Sequence, residues 1–207
     1  MTSPSNTRSE QAEDPPSFVL RGNRFKPLTW AVMSQEQKDM TRSVLGGKRA
    51  NMQGPYNVLL HSPEVGQLAQ EFGAHTRFNS SLPLALNELA ILMVARDWTS
   101  QFVWWAHKQI ATQEGVPHDL INAIATQSPP PANLSADLEL VYHFCSELIQ
   151  TRVVSDLTFE RARSLFKERG VVDLMATMSY YTLVCMSLNV DGYPLPDGVK
   201  PELGPKN

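Results

Sequence analysis

The stretch from Pro83 to Gly115 constrains the fold of this chain more than any other part of it. Its apolar residues recur at intervals of three and four positions, which is the period of an α-helix with a buried face. Pro83 suits the first turn of a helix, and Gly115 stands where a left-handed C-cap is favoured. We therefore predict two helices, over residues 83–97 and 100–114, which form an antiparallel hairpin at the centre of the fold.

Helix signals continue on both sides of this hairpin, and no strand pattern competes with them. Ser34 and Gln37 form a capping-box pattern that opens a helix, and Gly46-Gly47 ends it. Gly170 is the predicted break between the last two helices. The remaining predicted helices cover 63–77, 117–126, 136–151, 159–169 and 171–189. The predicted fold class is all-α.

The length of 207 residues fits one domain. We predict a disordered, Pro/Ser-rich N-terminal tail over 1–17, a single all-α domain over 18–190, and a Pro/Gly-rich C-terminal tail over 191–207. The stretch 171–189 is long and apolar. Because it contains Asp173 and two tyrosines, we interpret it as a buried or interface helix rather than a membrane span.

The charge balance narrows the choice of partners. The formal net charge is −3, the sequence pI is about 5.9, and Lys and Arg form no run, so we expect neither nucleic acid nor a membrane surface as a partner. No apolar segment follows a basic start, which predicts a cytoplasmic protein rather than a secreted one. Cys145 and Cys185 lie far apart within apolar helical patterns, and we interpret them as buried free thiols.

Glu88 and His107 are the candidate acid/base residues. The residues three and four positions either side of Glu88 are apolar, and so are those around His107. Both side chains should therefore turn inward, where a carboxylate and an imidazole in contact can serve as an acid/base pair. A purely structural ion pair is the alternative. The other histidines are scattered without metal-ligand spacing, so we expect no metal site.

Three segments, GPYNVLLHSPEV, LNELAILMVA and WWAHKQIATQEGV, follow one another along the chain. In these segments, which cover roughly residues 52–126, the chain resembles the carboxymuconolactone decarboxylase family, whose fold is that of the alkyl-hydroperoxidase D (AhpD) proteins. The resemblance implies an AhpD-like helical bundle that assembles into trimers or hexamers, with active sites near the subunit contacts. It also implies a small-molecule substrate and no cofactor.

The chain departs from the family just ahead of His107. The peroxidase branch has a Cys-x-x-Cys pair where this chain has Ser100 and Val103. Because thiol peroxidase chemistry needs one thiolate that attacks and a second that resolves, that activity is disfavoured. The decarboxylase branch usually has a glutamate at the position of Val103, so Glu88 remains as the upstream carboxylate.

The resemblance implies a cofactor-independent lyase or isomerase that uses His107 and Glu88 on a small carboxylated or lactone substrate. His107 would donate or accept the proton, and Glu88 would set its tautomer. We expect Arg96 to bind a substrate carboxylate, with a solvated or capping role as the alternative. Aromatic side chains are expected to form the pocket walls: Tyr56, Trp98 and Trp104. The rival function is a non-catalytic oligomeric small-molecule binder or scaffold of the same fold.

Overall fold

A computed structural model describes residues 16–206 of the chain. Over these residues the secondary structure is entirely helical, which confirms the all-α prediction. Most of the predicted N-terminal tail, residues 1–15, lies outside the described residues. A short 3₁₀ turn at Trp30–Val32 precedes eight helices in this range: α1 (Gln35–Gly46), α2 (Tyr56–Leu59), α3 (Pro63–Phe78), α4 (Leu84–Asp97), α5 (Gln101–Gln113), α6 (His118–Thr126), α7 (Ala136–Thr151) and α8 (Asp156–Asp191).

Local signals set several helix ends where the sequence predicts them. The backbone N–H of Gln37 donates to Ser34 Oγ, and the backbone N–H of Ser34 donates to Gln37 Oε1, so the capping box of α1 is confirmed. The helix ends at Gly46, with Gly47 as its C-cap. Gly115 follows α5 with a φ of +89°, the left-handed conformation expected of it.

The predicted break between the last two helices is present, but it lies at Lys167 rather than at Gly170. Gly170 is helical, and α8 (Asp156–Asp191) consists of two helical stretches that meet at a kink at Lys167, whose φ and ψ are 59° and 175°. A Cβ atom at Gly170 would lie 2.5 Å from Phe166 Cβ. The glycine therefore permits close packing inside the helix and does not end it.

Helix α4 is the centre of the molecule, and it packs against α5, α6, α7 and α8. Every residue from Leu86 to Arg96 is buried, polar ones included. A second, smaller apolar cluster lies between α1, α2 and α3 and contains Met40, Tyr56 and Leu60. Because α4 is buried all round, any ionisable side chain on it must find a partner inside the fold.

Helix α8 is the one helix of residues 16–206 whose length and composition would allow it to cross a membrane. Of its most apolar window, 61% is buried inside the fold. Its inward side packs on α3, α4, α5 and α7, which is the arrangement of a core helix. Asp173 on this helix accepts from the backbone N–H of Ser81 at 2.7 Å and from its hydroxyl at 2.6 Å.

Both ends of the described chain are tied to the helical body. The backbone N–H groups of Asn23 and Phe25 donate to the buried carboxylate of Asp191. At the other end, the Arg96 guanidinium donates to the carbonyls of Gly204 and Pro205, at 2.8 Å each. The C-terminal tail therefore lies along the ends of α4 and α5.

Candidate functional site

The hairpin of α4 and α5 brings Glu88 and His107 into direct contact. His107 Nδ1 lies 2.7 Å from Glu88 Oε2, and the two side chains are 8% and 1% exposed. Because an ionised carboxylate only accepts, Nδ1–H donates, and the lone pair of a neutral ring is on Nε2. The Tyr181 ring packs edge-on against the imidazole, with ring centroids 4.8 Å apart. The carboxylate and the tyrosine thus fix both the tautomer and the ring plane of His107.

His107 lines a cavity of about 170 Å³. The loop between α1 and α2 covers one side of it, the last turn of α3 contributes Arg77, and α5 and α8 form the remaining walls. On α5 the apolar Val103 and Ala106 lie beside the histidine. The aromatic side of the cavity comes from Tyr180 and Tyr181 of α8.

Two tyrosines, Tyr180 and Tyr181, line this cavity, and Tyr56 lies under Arg49, which lines it too. The buried hydroxyls of Tyr56 and Tyr180 interact with each other, and that of Tyr56 also interacts with Arg49. Burial raises the pKa of all three phenols above the ordinary value, and the charge of Glu88 raises the pKa of Tyr181 further. At neutral pH the buried Tyr181 hydroxyl is therefore an O–H donor without an acceptor among residues 16–206.

Two arginines face the same space. Arg49 comes from the loop between α1 and α2, and its guanidinium lies 5.5 Å above the Tyr56 ring. Burial lowers the pKa of Arg49 and the neighbouring tyrosines raise it; the net effect is a raised pKa, so the group is charged at neutral pH. Arg77 lies 5.5 Å from the Phe78 ring. Neither arginine has a carboxylate within ion-pair distance among residues 16–206.

The second oxygen of Glu88 is an acceptor behind His107. Glu88 Oε1 is buried and has no partner in the described part of the chain, whereas Oε2 is bonded to His107. A buried polar atom without a partner is unfavourable, and native structures keep few of them. Glu88 lies behind His107 and does not line the cavity, so the cavity itself presents unpaired donors next to an oriented imidazole.

The structure brings together only some of the residues predicted from sequence. Glu88 and His107 are in contact, whereas Tyr56 lies below Arg49 and does not line the cavity. Trp104 is buried in the core, and its Nε1 donates to Glu202 at 3.4 Å, so it lies away from the cavity. Trp98 caps α4 and lines a separate surface pocket with Asn189.

Arg96 is also separate from the His107 cavity. Its two terminal nitrogens bind the C-terminal tail, and it borders a wider cleft of about 470 Å³ between α4, α6 and α7. That cleft contains neither His107 nor Glu88. Arg96 therefore does not lie where it could bind an anion beside the acid/base pair. The arginines that line the His107 cavity are Arg49 and Arg77.

Sequence reasoning missed Arg49 and Arg77, and it preferred core packing over substrate contact for the two adjacent tyrosines of α8. Arg49 lies in an irregular loop, for which periodicity makes no prediction, and Arg77 is in the last turn of α3, where a basic residue also suits the helix dipole. Tyr180 and Tyr181 were the available signal, because two phenols interrupt an otherwise apolar helix, but core packing accounts equally well for them.

Within residues 16–206, no group of three or more His, Cys, Asp or Glu side chains could hold a metal ion. Both cysteines are free and buried, on α7 and α8. A scan of the sequence against models of protein families found no match, and a search of curated proteins found none either.

Proposed function

We propose that this protein is a cofactor-independent acid/base enzyme of the carboxymuconolactone decarboxylase type, a lyase or isomerase with an AhpD-like bundle. The observation that carries the proposal is the pair of Glu88 and His107, with Nδ1 and Oε2 2.7 Å apart and the imidazole at the wall of a cavity. Proton transfer by an oriented histidine needs this arrangement, in which one ring nitrogen is held and the other faces the substrate.

The geometry supports proton transfer to or from carbon. In a decarboxylation, the C–C bond to the carboxylate breaks, CO₂ leaves, and the electron pair is delocalised towards a neighbouring carbonyl as an enolate. His107 Nε2–H then donates its proton to the carbon, and Glu88 stabilises the imidazolium before that step. In an isomerisation, neutral Nε2 removes a proton from one carbon and returns it to another. The Tyr181 hydroxyl is an available donor to the enolate oxygen.

The size of the cavity limits the substrate. Pockets for drug-sized ligands occupy roughly 300–1,000 Å³. The cavity beside His107 measures about 170 Å³, so it suits a molecule with a single small ring or a short chain. A small enolisable acid or lactone fits this limit.

A thiol peroxidase function remains disfavoured. Ser100 and Val103 stand where that chemistry needs cysteines, and Ser100 is buried. Burial raises the pKa of Cys145 and of Cys185, which keeps both thiols protonated at neutral pH. Neither cysteine lines the cavity.

The test is proton exchange at carbon. The protein is incubated in deuterium oxide with a panel of small carboxylated lactones and unsaturated acids, and deuterium incorporation or CO₂ loss is followed by proton NMR. We expect Glu88→Gln and His107→Asn to lower the rate by roughly 100-fold to 10,000-fold. His143→Asn is the matched control, because His143 lies on the surface with its Nε2 3.7 Å from Glu139. Folded variants that retain the parental rate would refute the acid/base roles.

A non-catalytic binder of the same fold is the second candidate, and the apolar Val103 favours it. An acid/base residue sealed away from any cavity would support the binder. His107 instead lines a cavity, which supports the enzyme. The exchange assay separates the two, since a binder would be stabilised by ligands without exchanging their protons.

Self-association is part of the proposal. Helix α3 exposes Val65, Leu68 and Phe72 along one face, with Leu68 at 70% exposure. An apolar face of this kind favours contact with another protein surface, and a second copy is the simplest candidate. Light scattering should give the mass of a trimer or hexamer for the parent and a lower mass for Leu68→Glu. A monomeric parent would contradict this part.

A further inference from the structure

We infer that Arg49 and Arg77 are the specificity-determining residues of the His107 cavity, which select a ligand that carries a carboxylate. The inference rests on the proposed function only for the part of the ligand that reacts. A separate requirement, recognition of the ligand's anionic group, is assigned to Arg49 on the loop between α1 and α2 and to Arg77 on the last turn of α3.

The first argument is the excess of donors. Arg49 Nη2 and the Tyr181 hydroxyl are buried without a hydrogen-bond partner among residues 16–206, and the Arg77 guanidinium lines the same cavity. A neutral ligand with one carbonyl would satisfy at most two of these three groups. A carboxylate offers about four lone-pair positions on two oxygens, so it can accept from several donors at once.

The second argument is the charge. Arg49 and Arg77 are both half-buried, and no carboxylate of the described chain pairs with either. Glu88 is the carboxylate beside the cavity, and its bonded oxygen is committed to His107. Enclosed cations are normally paired because the loss of solvation is otherwise uncompensated. Arg96 illustrates the usual solution, since it donates to two backbone carbonyls. A bound anion would supply hydrogen-bond acceptors to Arg49 in the same way.

The loop that carries Arg49 is built for one conformation. Ala50, the next residue, has a φ of +51°, and Gly54 has a φ of +82°. A left-handed alanine is sparsely populated and persists where surrounding contacts enforce it. The Gly54 N–H donates to the Tyr193 hydroxyl at 3.3 Å, which anchors the loop to the segment after α8. The strained turn directly follows Arg49, which lines the cavity.

Stacking over Tyr56 is the structural role that Arg49 could have without any ligand. The two roles predict different results. Stacking alone would make Arg49 matter for stability and leave ligand choice unchanged, whereas anion recognition changes the preference between a charged ligand and its neutral analogue. The probes are therefore 2-furoate and 2-furamide, which differ only in carboxylate against amide and are small enough for the cavity.

Affinities of both probes are measured by calorimetry with the full chain. We expect the parent to bind 2-furoate more tightly than 2-furamide by roughly 10-fold to 100-fold, and Arg49→Gln to reduce this ratio to about one. Arg49→Lys should keep part of the preference, because the charge remains and the planar donor pair is lost. Arg161→Gln is the matched control, since Arg161 is an exposed arginine with its Nη2 3.5 Å from Glu139.

Equal affinity of the parent for the two probes would overturn the inference, and so would an undiminished ratio in Arg49→Gln. If Arg49→Gln fails to fold, Arg77→Gln decides by the same ratio, because Arg77 is half-buried at a helix end. Glu88→Gln separates this inference from the proposed function. If Glu88→Gln keeps the preference for 2-furoate but loses proton exchange, both the inference and the proposed function are supported. If the parent shows the preference without any proton exchange, anion recognition alone is supported.

Discussion

A single methyl group at Gly73 tests how Tyr180 is held beside the cavity. Gly73 lies inside α3, and a Cβ atom there would be 2.1 Å from Tyr180 Cζ and 2.2 Å from its hydroxyl oxygen. Ordinary contacts begin at about 3.4 Å, so in Gly73→Ala the end of the ring must move by more than 1 Å. Tyr180 is 1% exposed, and the open space beside it is the cavity that it lines.

Two opposing terms set the expected magnitude. Alanine is favoured over glycine inside a helix by roughly 0.5–1 kcal/mol. Forcing extra volume into a packed core costs roughly 1–3 kcal/mol, occasionally more. Since the overlap involves the end of a rigid, buried ring that can move only towards the cavity, the middle of the range applies, and we expect a net loss of about 1–2 kcal/mol. For a domain of this size that corresponds to a fall in Tm of roughly 2–8 °C.

Urea unfolding and thermal melts of the parent, Gly73→Ala and Gly46→Ala provide the assay. Gly46 ends α1, and a Cβ atom there would have no neighbour within 4 Å, so the control should be neutral or slightly stabilised. In a Tyr180→Leu background the overlap disappears, and Gly73→Ala should become stabilising by about 0.5–1 kcal/mol. If Gly73→Ala stabilises the parent protein itself, the close approach of Tyr180 to α3 is refuted.

Two further predictions concern groups outside the cavity. Burial raises the pKa of Cys145 above its usual range and that of Cys185 to about 12, so at about pH 8 neither thiol should react with a disulfide reagent before unfolding; rapid labelling of the native protein would contradict this. Burial raises the pKa of Asp173, but the hydrogen bonds from Ser81 lower it by more, and the net pKa lies below the ordinary value. A carboxyl group with a lowered folded-state pKa stabilises the fold above about pH 4, and this stabilisation is lost as the pH falls further. Asp173→Asn should therefore be less stable than the parent by about 1–3 kcal/mol at neutral pH and should reach the same stability as the parent in acid. Urea unfolding across this pH range measures the difference, and a constant gap would contradict the assignment.

The parts of the fold that local rules determine could be predicted from the sequence. The capping box at Ser34 and the left-handed Gly115 depend on residues within one helical turn, and both are confirmed. The break between the last two helices was predicted, but it lies at Lys167 and not at Gly170. The position was wrong because glycine has two roles: it ends helices, and it lets neighbours approach closely. The nearby Phe166 side chain decides between them, and its position depends on how α8 packs.

The candidate site also contains some residues that local rules predict and others that they do not. Helical periodicity placed Glu88 and His107 on inward faces, and their contact follows from the hairpin. The role expected of Arg96 depended on where the C-terminal tail runs, which no local pattern gives, and the tail carbonyls occupy its donors. Arg49 depends on the path of an irregular loop with a left-handed alanine. Glu88 and His107, which lie inside helices among apolar neighbours, were predictable, whereas Arg49 on a loop and Arg77 at a helix end were not.

The apolar Val103 becomes understandable if the cavity selects an anion. Val103 lines the cavity one turn before His107, so a glutamate there would place a second negative charge beside Glu88, in the space that a substrate carboxylate would share. Val103→Glu should therefore weaken binding of 2-furoate by roughly 10-fold or more, because like charges in a small enclosed volume repel, and leave 2-furamide binding nearly unchanged. Val103→Gln has the same shape without the charge and is the control for lost volume. If the Glu and Gln variants bind 2-furoate equally well, Val103 does not face the bound carboxylate, and its apolar character has another cause.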